Sequence, residues 1–588
     1  MRETDFKMRS IEPREHARGK VGSDDRGQDW SVSSSATITR RSFLKALGIG
    51  TLALGVPALA TRGRRRPNIV ILLVDDMGYS DPGYMGGEAH TPNLDNLSEK
   101  GATFLNTFNN AKCAPSRAAL MTGMCCQRIK AFRGAGNIAE NNAACMAEVL
   151  GQNGYATIIS GKWHIKPDPM DVGFQRRMGV NLAPYYFKPK PQPGQKMHPL
   201  YLEDEPIDFD LLPEDWYSTT AYTDYAIKAI DQSAISKNKP FFLYLAVNAP
   251  HAPLSAPKED IDRYNKVYDD GLPAIRRRRY KRMIEKGIVD PTTWTLPDYE
   301  PNKDGSSFDW DGFSPKEKRL FQRKLQITSA MIDRVDQELG KLISFLKDSG
   351  AWENTLLIFL SDNGATAEQG LYGGVELETI SDADINEMGT RAGRDGGTSG
   401  PVVATVQNTP LRKYKTTLWD GGMRTSMIVH WPNRIAPEVT RSYLREPIAI
   451  FDLAPTCYDA AGVDYPNNIG DRELQPMDGV SFLPLLRGEK IARRNLCCAY
   501  KDYRVVRNEK WKLLGLFKTK DPQKAGKGTW QLFDLARDQS ETIDVADKHQ
   551  EVVRELSQLW QTWDNDVGIT AGYRNYWYNK AKKEEEQP

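Results

Sequence analysis

Histidine and cysteine are both scarce, with seven of each in 588 residues. So few cysteines cannot staple a scaffold of this length, and no C-x-x-C pair marks a zinc site. Charge of one sign is also lacking. The formal net charge of +2 gives no electrostatic reason to expect nucleic acid or an anionic membrane as partner. Beyond the first 60 residues no run is long and apolar enough to cross a bilayer, and no internal repeat points to a solenoid. What remains is ordinary globular composition, 40% hydrophobic and 27% charged. The length suits a large core domain with a smaller second unit.

Residues 1–60 read as a targeting segment rather than as fold. Thr39-Arg40-Arg41-Ser42-Phe43-Leu44-Lys45 precedes an apolar stretch from Ala46 to Ala60 that ends Ala58-Leu59-Ala60, an A-x-A cleavage signature. The paired arginines look like a twin-arginine export signal. The expectation is a periplasmic or secreted protein that uses the twin-arginine machinery, with an uncleaved anchor as the alternative.

Four continuous aliphatic or β-branched runs follow: Ile69 to Val74, Ala156 to Ile159, Phe241 to Val247 and Leu356 to Leu360. Such runs suit strands buried on both faces of a parallel sheet. Each leads into polar or ionisable residues: Asp75-Asp76, Lys162-Trp163-His164, Pro250-His251 and Asp362-Asn363. Helical patterns lie between them. One has Thr91 as N-cap, Pro92 at its first position and Gly101 as stop; another runs from Lys316 to Leu346. Strands alternating with helices predict an α/β fold whose ligand sits beyond the carboxyl ends of the strands. Ala365 to Thr409 reads as a long loop or insertion. Short strands at Tyr503, Trp511 and Trp530 and an amphipathic helix from about Gln550 to Trp563 predict a small C-terminal α+β unit, and Lys580 to Pro588 a solvated charged tail. The domain reading is therefore 1–60 signal, 67–490 catalytic, and 491–588 C-terminal subdomain and tail.

The chemistry concentrates in Cys113-Ala114-Pro115-Ser116-Arg117. Pro115 suits the first position of a helix, which would set Cys113 just off its positive end, where an oxyanion is favoured. Taken alone, a cysteine before a helix is more often structural. Asp75, Asp76, Asp362 and Asn363 are hard oxygen donors at two strand ends, of the kind calcium or magnesium takes, and three carboxylates gathered without a cation would repel.

The C-x-P-S-R stretch with Thr122-Gly123 is not isolated. Together with Asp75-Asp76-Met77-Gly78-Tyr79, Gly161-Lys162-Trp163-His164, Pro250-His251-Ala252-Pro253, Ser361-Asp362-Asn363-Gly364, Asn408 to Lys415 and Gly421-Gly422-Met423-Arg424, it resembles the sulfatase family of the alkaline-phosphatase-like superfamily, over roughly residues 67 to 550. The likeness extends to bacterial arylsulfatases through Lys258 to Phe321. The resemblance implies a mixed central sheet flanked by helices, with a smaller C-terminal antiparallel sheet plus helix. It implies that Cys113 is oxidised to formylglycine by a formylglycine-generating or anaerobic sulfatase-maturating enzyme. The hydrated aldehyde would then displace the alcohol from sulfur with one hydroxyl and expel sulfate with the other. It implies Asp75, Asp76, Cys113, Asp362 and Asn363 around Ca²⁺ (or Mg²⁺), Arg117, Lys162 and Lys415 on the sulfate and diol oxygens, His251 as acid for the leaving oxygen and His164 as base for the second hydroxyl. The substrate would be a sulfate ester, an aryl sulfate or a sulfated carbohydrate.

There are departures. Asp420 stands where the family often has Glu, which predicts an altered supporting contact rather than altered chemistry. Met124-Cys125-Cys126-Gln127-Arg128 replaces the family's aromatic and basic turn. The run Arg276 to Arg282 reads as a solvated helix face. The rival readings are a phosphodiester or phosphonate monoester hydrolase of the same superfamily, and a non-catalytic binder of sulfated glycans.

Overall fold

The computed structural model describes residues 65–131, 136–182, 184–190, 196–298, 308–516 and 529–568. The expected export segment and the charged tail lie outside them. Eleven strands form the main sheet: β1 (Asn68–Val74), β2 (Ala102–Phe108), β3 (Ala156–Lys162), β4 (Arg176–Val180), β5 (Leu200–Leu202), β6 (Glu205–Pro206), β7 (Phe241–Ala246), β8 (Thr355–Ser361), β9 (Arg424–His430), β10 (Ser442–Leu444) and β11 (Ile448–Ala449). Their spatial order is β10-β2-β9-β8-β1-β7-β3-β4-β5-β6, with β11 also on β2. The four aliphatic runs become β8, β1, β7 and β3, four adjacent parallel strands at the centre. Val70, Leu72 and Val74 point into one apolar layer, and Ile69, Ile71 and Leu73 into the other. Burial on both faces is why these segments carry no polar alternation. The sheet is mixed because β9 runs antiparallel to both β8 and β2.

Helices cover both faces. On one, the 34-residue helix Pro315–Asp348 starts in a capping box made by Ser314 and Glu317 and packs against the helix Ser218–Ser233. Among the described residues no helix is long and apolar enough to cross a membrane. A two-stranded ribbon, β12 (Asn468–Ile469) and β13 (Arg472–Glu473), precedes a four-stranded antiparallel sheet, β14 (Leu496–Tyr500), β15 (Tyr503–Arg507), β16 (Trp511–Leu516) and β17 (Thr529–Asp534), and the helix Gln550–Val567. None of the seven cysteines is in a disulfide.

Three expectations need correcting. The reactive-stretch helix begins at Cys113 itself, so Pro115 is its third residue and Lys112 its cap; after the extended backbone of Lys112 the first turn closes two residues early. The helix Pro92–Lys100 is as expected, with Thr91 at the N-cap position and Gly101 at the stop; the Thr91 hydroxyl accepts from the Gly83 amide and donates to Asp95. The segment Ala365 to Thr409 is not a bare loop: it contains the helices Asp382–Glu387 and Gly400–Gln407, the second wholly buried. The arginine run is not wholly solvated. Arg279 is fully buried, paired with Asp81 at 2.8 Å and Glu88 at 2.7 Å.

Candidate active site

The parallel strands deliver their carboxyl ends to one edge. Asp75 and Asp76 follow β1, Asp362 and Asn363 follow β8, Lys162 is the last residue of β3, and His251 lies just past β7. Gly161 makes the approach possible: its φ is +110°, and a Cβ there would lie 2.0 Å from the Ala246 carbonyl oxygen on β7. The helix Cys113–Thr122 supplies Cys113 and Arg117. Asp76, His164 and Lys413 adopt left-handed φ values of 67°, 62° and 60°, strain of a kind that concentrates at functional sites.

Three carboxylates and three cations interlock, and all six residues are at most 3% exposed. Lys162 Nζ donates to Asp75 Oδ2 at 2.6 Å. Lys415 Nζ lies 2.7 Å from Asp76 Oδ1. Arg117 Nε donates to Asp362 Oδ2 at 2.9 Å, and its Nη1 donates to the Lys162 carbonyl at 2.8 Å. Asn363 Nδ2 donates to Asp76 Oδ1 at 2.6 Å, and Cys113 Sγ lies 3.9 Å from the same oxygen. Each carboxylate thus has its own cation, which offsets part of the repulsion among the three acids; what is left shows in Asp362, which, beyond the effect of burial, Asp75 and Asp76 still push upward.

The electrostatics are uneven. Burial would raise Asp75, but Lys162, His251, Arg117 and Lys415 outweigh it and hold the carboxyl well below its ordinary range. Asp362 is pushed up to about 7, first by burial and then by the charge of Asp75. Burial, reinforced by Lys162 and Arg117, drops His164 to about 2 and keeps its imidazole neutral. His251 is lowered by burial and drawn back by Asp75 and Asp76. Its Nδ1 sits 2.6 Å from the Ala252 carbonyl, and Nε2 points toward Asp76 Oδ2 at 3.7 Å. Burial raises the Cys113 thiol, and Asp75 raises it further.

Two observations bear on a metal. Ligand atoms of Asp75, Asp76, Cys113 and His251 all lie within 4.8 Å of one another. Asp75 Oδ1 and Asn363 Oδ1 are buried acceptors with no hydrogen-bond donor, a vacancy that a hard cation satisfies. The predicted ligands are therefore brought together: the oxygens of Asp75, Asp76, Asp362 and Asn363 fit an oxygen-loving divalent ion, while Cys113, whose thiol does not suit such an ion, and His251 lie beside them.

Sequence reasoning missed Glu368. It pairs with Lys112 at 2.8 Å and lies 3.9 Å from Lys415. Burial works against its ionisation, yet the two lysines hold it down at about 2. No motif marks it; it sits in the segment read as a loop. With Thr366, Gln369, Asp395 and Thr398 it walls a cavity of about 410 Å³ whose inner end is Asp76 and His251. Asp420 is remote from this chemistry: its side chain bonds Arg424, Arg507 and Lys512.

A family model described as Sulfatase matches residues 67–463, and one described as N-sulphoglucosamine sulphohydrolase, C-terminal, matches residues 414–565. An arylsulfatase of Klebsiella aerogenes is 32% identical over 459 residues, covering 73% of this chain and 94% of that protein. The N-acetylgalactosamine-6-sulfatase of Mus musculus is 27% identical, covering 78% and 72%. Among solved structures, Ps i-CgsB superposes with a TM-score of 0.61 at 25% identity, covering 87% of this chain and 98% of that one. The same protein has been solved in complex with k-i-k-neocarrahexaose.

Proposed function

The chain belongs to the sulfatase family and hydrolyses sulfate esters, and we propose that it does so through a formylglycine made from Cys113 beside one divalent cation, calcium or magnesium. The observation that carries this reading is the convergence of Cys113, at a buried helix start, on Asp76, Lys415, Lys162 and Arg117. A binder of sulfated glycans that had lost catalysis would have no need to keep all of these together with His251.

Formylglycine would supply, as its hydrate, two hydroxyls on one carbon, one to displace the alcohol from sulfur and one to release sulfate afterwards. The cation, held by Asp75, Asp76, Asp362 and Asn363, would supply positive charge against the sulfuryl oxygens. The chain's own residues do the rest. Arg117 is fixed by Asp362 and by the Lys162 carbonyl, so its charge cannot swing away from position 113. Lys162 and Lys415 present buried ammonium groups on either side of the acids, placed to hold sulfate and diol oxygens. An Nδ1 proton on His251 would be held by the Ala252 carbonyl, confining proton exchange to Nε2, which faces the site; once Nε2 has taken up a proton, with Asp75 and Asp76 favouring that imidazolium against burial, it would pass that proton to the leaving oxygen. His164, neutral and with a buried Nδ1 free of any donor or acceptor, suits the base for the second hydroxyl. The natural substrate fits a sulfated carbohydrate, a class supported by the glycan bound to Ps i-CgsB.

The test is the mass of the tryptic peptide containing position 113 from active protein, paired with turnover of 4-nitrophenyl sulfate. An aldehyde in place of the thiol, and a folded but inactive Cys113→Ala variant, are expected. Full turnover by Cys113→Ala would refute the mechanism.

A further inference from the structure

The cavity leading to Asp76 and His251 has a chemical character of its own. Among the described residues, no lysine, arginine, phenylalanine, tyrosine or tryptophan lines it, and His251 at its inner end is its one aromatic ring; its outer charges are the carboxylates of Glu368 and Asp395, set among Thr366, Gln369 and Thr398. Glu368 shares its charge with Lys112. Asp395 is exposed and has no ion-pair partner within 4 Å among the described residues.

Asp395 is nevertheless fixed. Its Oδ1 accepts from the Gly397 amide at 2.9 Å. The flanking backbone is tied to the loop after β7 by Gly396 N–H to the Leu254 carbonyl and by Leu254 N–H to the Gly397 carbonyl, both 2.9 Å. From below, the buried Lys324 on the long helix donates to the carbonyls of Gly396 and Thr398. A loop held at that many points presents its carboxylate as a permanent part of the wall. Ionised oxygens accept strong hydrogen bonds from hydroxyl groups, whereas they repel a second anion brought into a partly desolvated cleft.

We infer that this wall selects the leaving group: the site takes the sulfate ester of a hydroxyl-rich alcohol that carries no further negative charge beside the scissile bond, with Asp395 as the discriminating residue. This rests on the sulfatase mechanism above and adds to it the chemistry of the substrate's other half. A monosulfated neutral sugar unit fits. An aryl group gains no stacking partner here, and a unit carrying an adjacent second sulfate or a uronate carboxylate is disfavoured.

The experiment uses the matured enzyme and three phenyl sulfates of similar size, para-substituted with trimethylammonium, nitro or carboxylate, compared by kcat/KM in wild type, Asp395→Asn and Asp395→Lys. Each phenol's intrinsic reactivity cancels when wild type is divided by variant. On that ratio, neutralising Asp395 is expected to narrow the advantage of the cationic over the anionic ester about tenfold, the effect of one nearby charge in a cleft. Asp395→Lys should reverse the order, and added salt should compress both effects. Unchanged ratios across the three proteins would overturn the inference while leaving the sulfatase mechanism standing. A carboxylate ester that outpaces the others in wild type, beyond its intrinsic reactivity, would do the same. No turnover of any of the three esters would instead bring down the mechanism and this inference with it.

Discussion

Replacing Asp420 by Asn removes one charge from a sealed ionic cluster. Its carboxylate lies 2.7 Å from Lys512 Nζ, 3.2 Å from Arg507 Nη1 and 3.3 Å from Arg424 Nη1. All four side chains are at most 2% exposed, so solvent screening does not discount the loss. Lys512 keeps a second partner in Glu541, whose other oxygen accepts from the Asp420 amide at 3.0 Å. What is stranded is the pair of guanidiniums, between the helix Asp420–Met423 with β9 on one side and β15 on the other. Stripping one partner from a buried pair costs about 3–5 kcal/mol, and Glu541 places the expectation at the lower end, about 3 kcal/mol. Urea unfolding of wild type and Asp420→Asn at neutral pH reads it directly. The sign with pH follows from the shift. Burial would raise Asp420, but Lys512, Arg507 and Arg424 hold it below the ordinary carboxylate range. Its contribution is therefore present above the unfolded pKa of about 3.9 and lost as pH falls below it, so the gap between the proteins closes in acid. Turnover of 4-nitrophenyl sulfate at room temperature should survive. A gap below about 1 kcal/mol, or a collapse of kcat in a protein of wild-type stability, would refute the assignment of Asp420 to cohesion between the two sheets.

Asp362→Ala should lose both bound calcium or magnesium and rate, and elemental analysis finding no metal in fully active wild type would contradict the cation. Changing Arg40 and Arg41 to Lys should leave folded enzyme in the cytoplasm; unchanged periplasmic activity would argue against the twin-arginine route. Lys324, lowered to about 7 by burial from 10.5, leaves the folded protein short of a proton between those values, so stability falls as pH drops through that window. The stability difference between wild type and Lys324→Met should shrink from about pH 10 to about pH 7, and a constant difference would exclude the shift. His251→Ala should lose far more rate on sugar sulfates than on nitrophenyl sulfate, by ~10²–10⁴-fold for positioned acid catalysis, while His164→Ala slows sulfate release whatever the leaving group. Equal losses along a leaving-group series for His251→Ala would mean that it only binds sulfate.

The central strands were legible because burial on both faces leaves an unbroken aliphatic run, and the short length and β-branched content of Ile69 to Val74 favour a strand over a buried helix turn. Their polar termini could be assigned to one edge because parallel strands share a direction. The strand β9 was harder to see: Arg424 and Thr425 open it with polar groups that serve the ion cluster and β8, which masks its apolar core. The site's acids and lysines were legible as residues but not as pairs, since Lys162 with Asp75, and Lys415 with Asp76, are 87 and 339 positions apart. Glu368 and Asp395 were invisible, because a carboxylate in a Gly-rich segment has no signature until the segment is folded against β7.

Why should a site that needs positive charge for sulfate be built around three buried acids? Three cations in so dry a place, among them Arg117, which stays charged wherever it is buried, carry a large desolvation cost unless each is paired. Asp75, Asp76 and Asp362 supply those partners, and against burial Asp76 helps raise Lys415 well above its ordinary range; the acids themselves are uneven, Asp75 pulled below its ordinary range and Asp362 pushed up to about 7. The cluster is thus balanced with three cations and has one carboxylate at the edge of protonation. A divalent ion accepting Asp75 Oδ1 and Asn363 Oδ1, the two oxygens that lack donors, would tip that balance positive. It would favour the ionised form of Asp362 and leave the lysine ammonium groups free to turn toward an incoming sulfate. On this reasoning Asp75, Asp76 and Asp362, if with Asn363 they held a divalent cation, would have less negative charge left to hold Lys162 and Lys415, whose ammonium groups would then be available to sulfate oxygens.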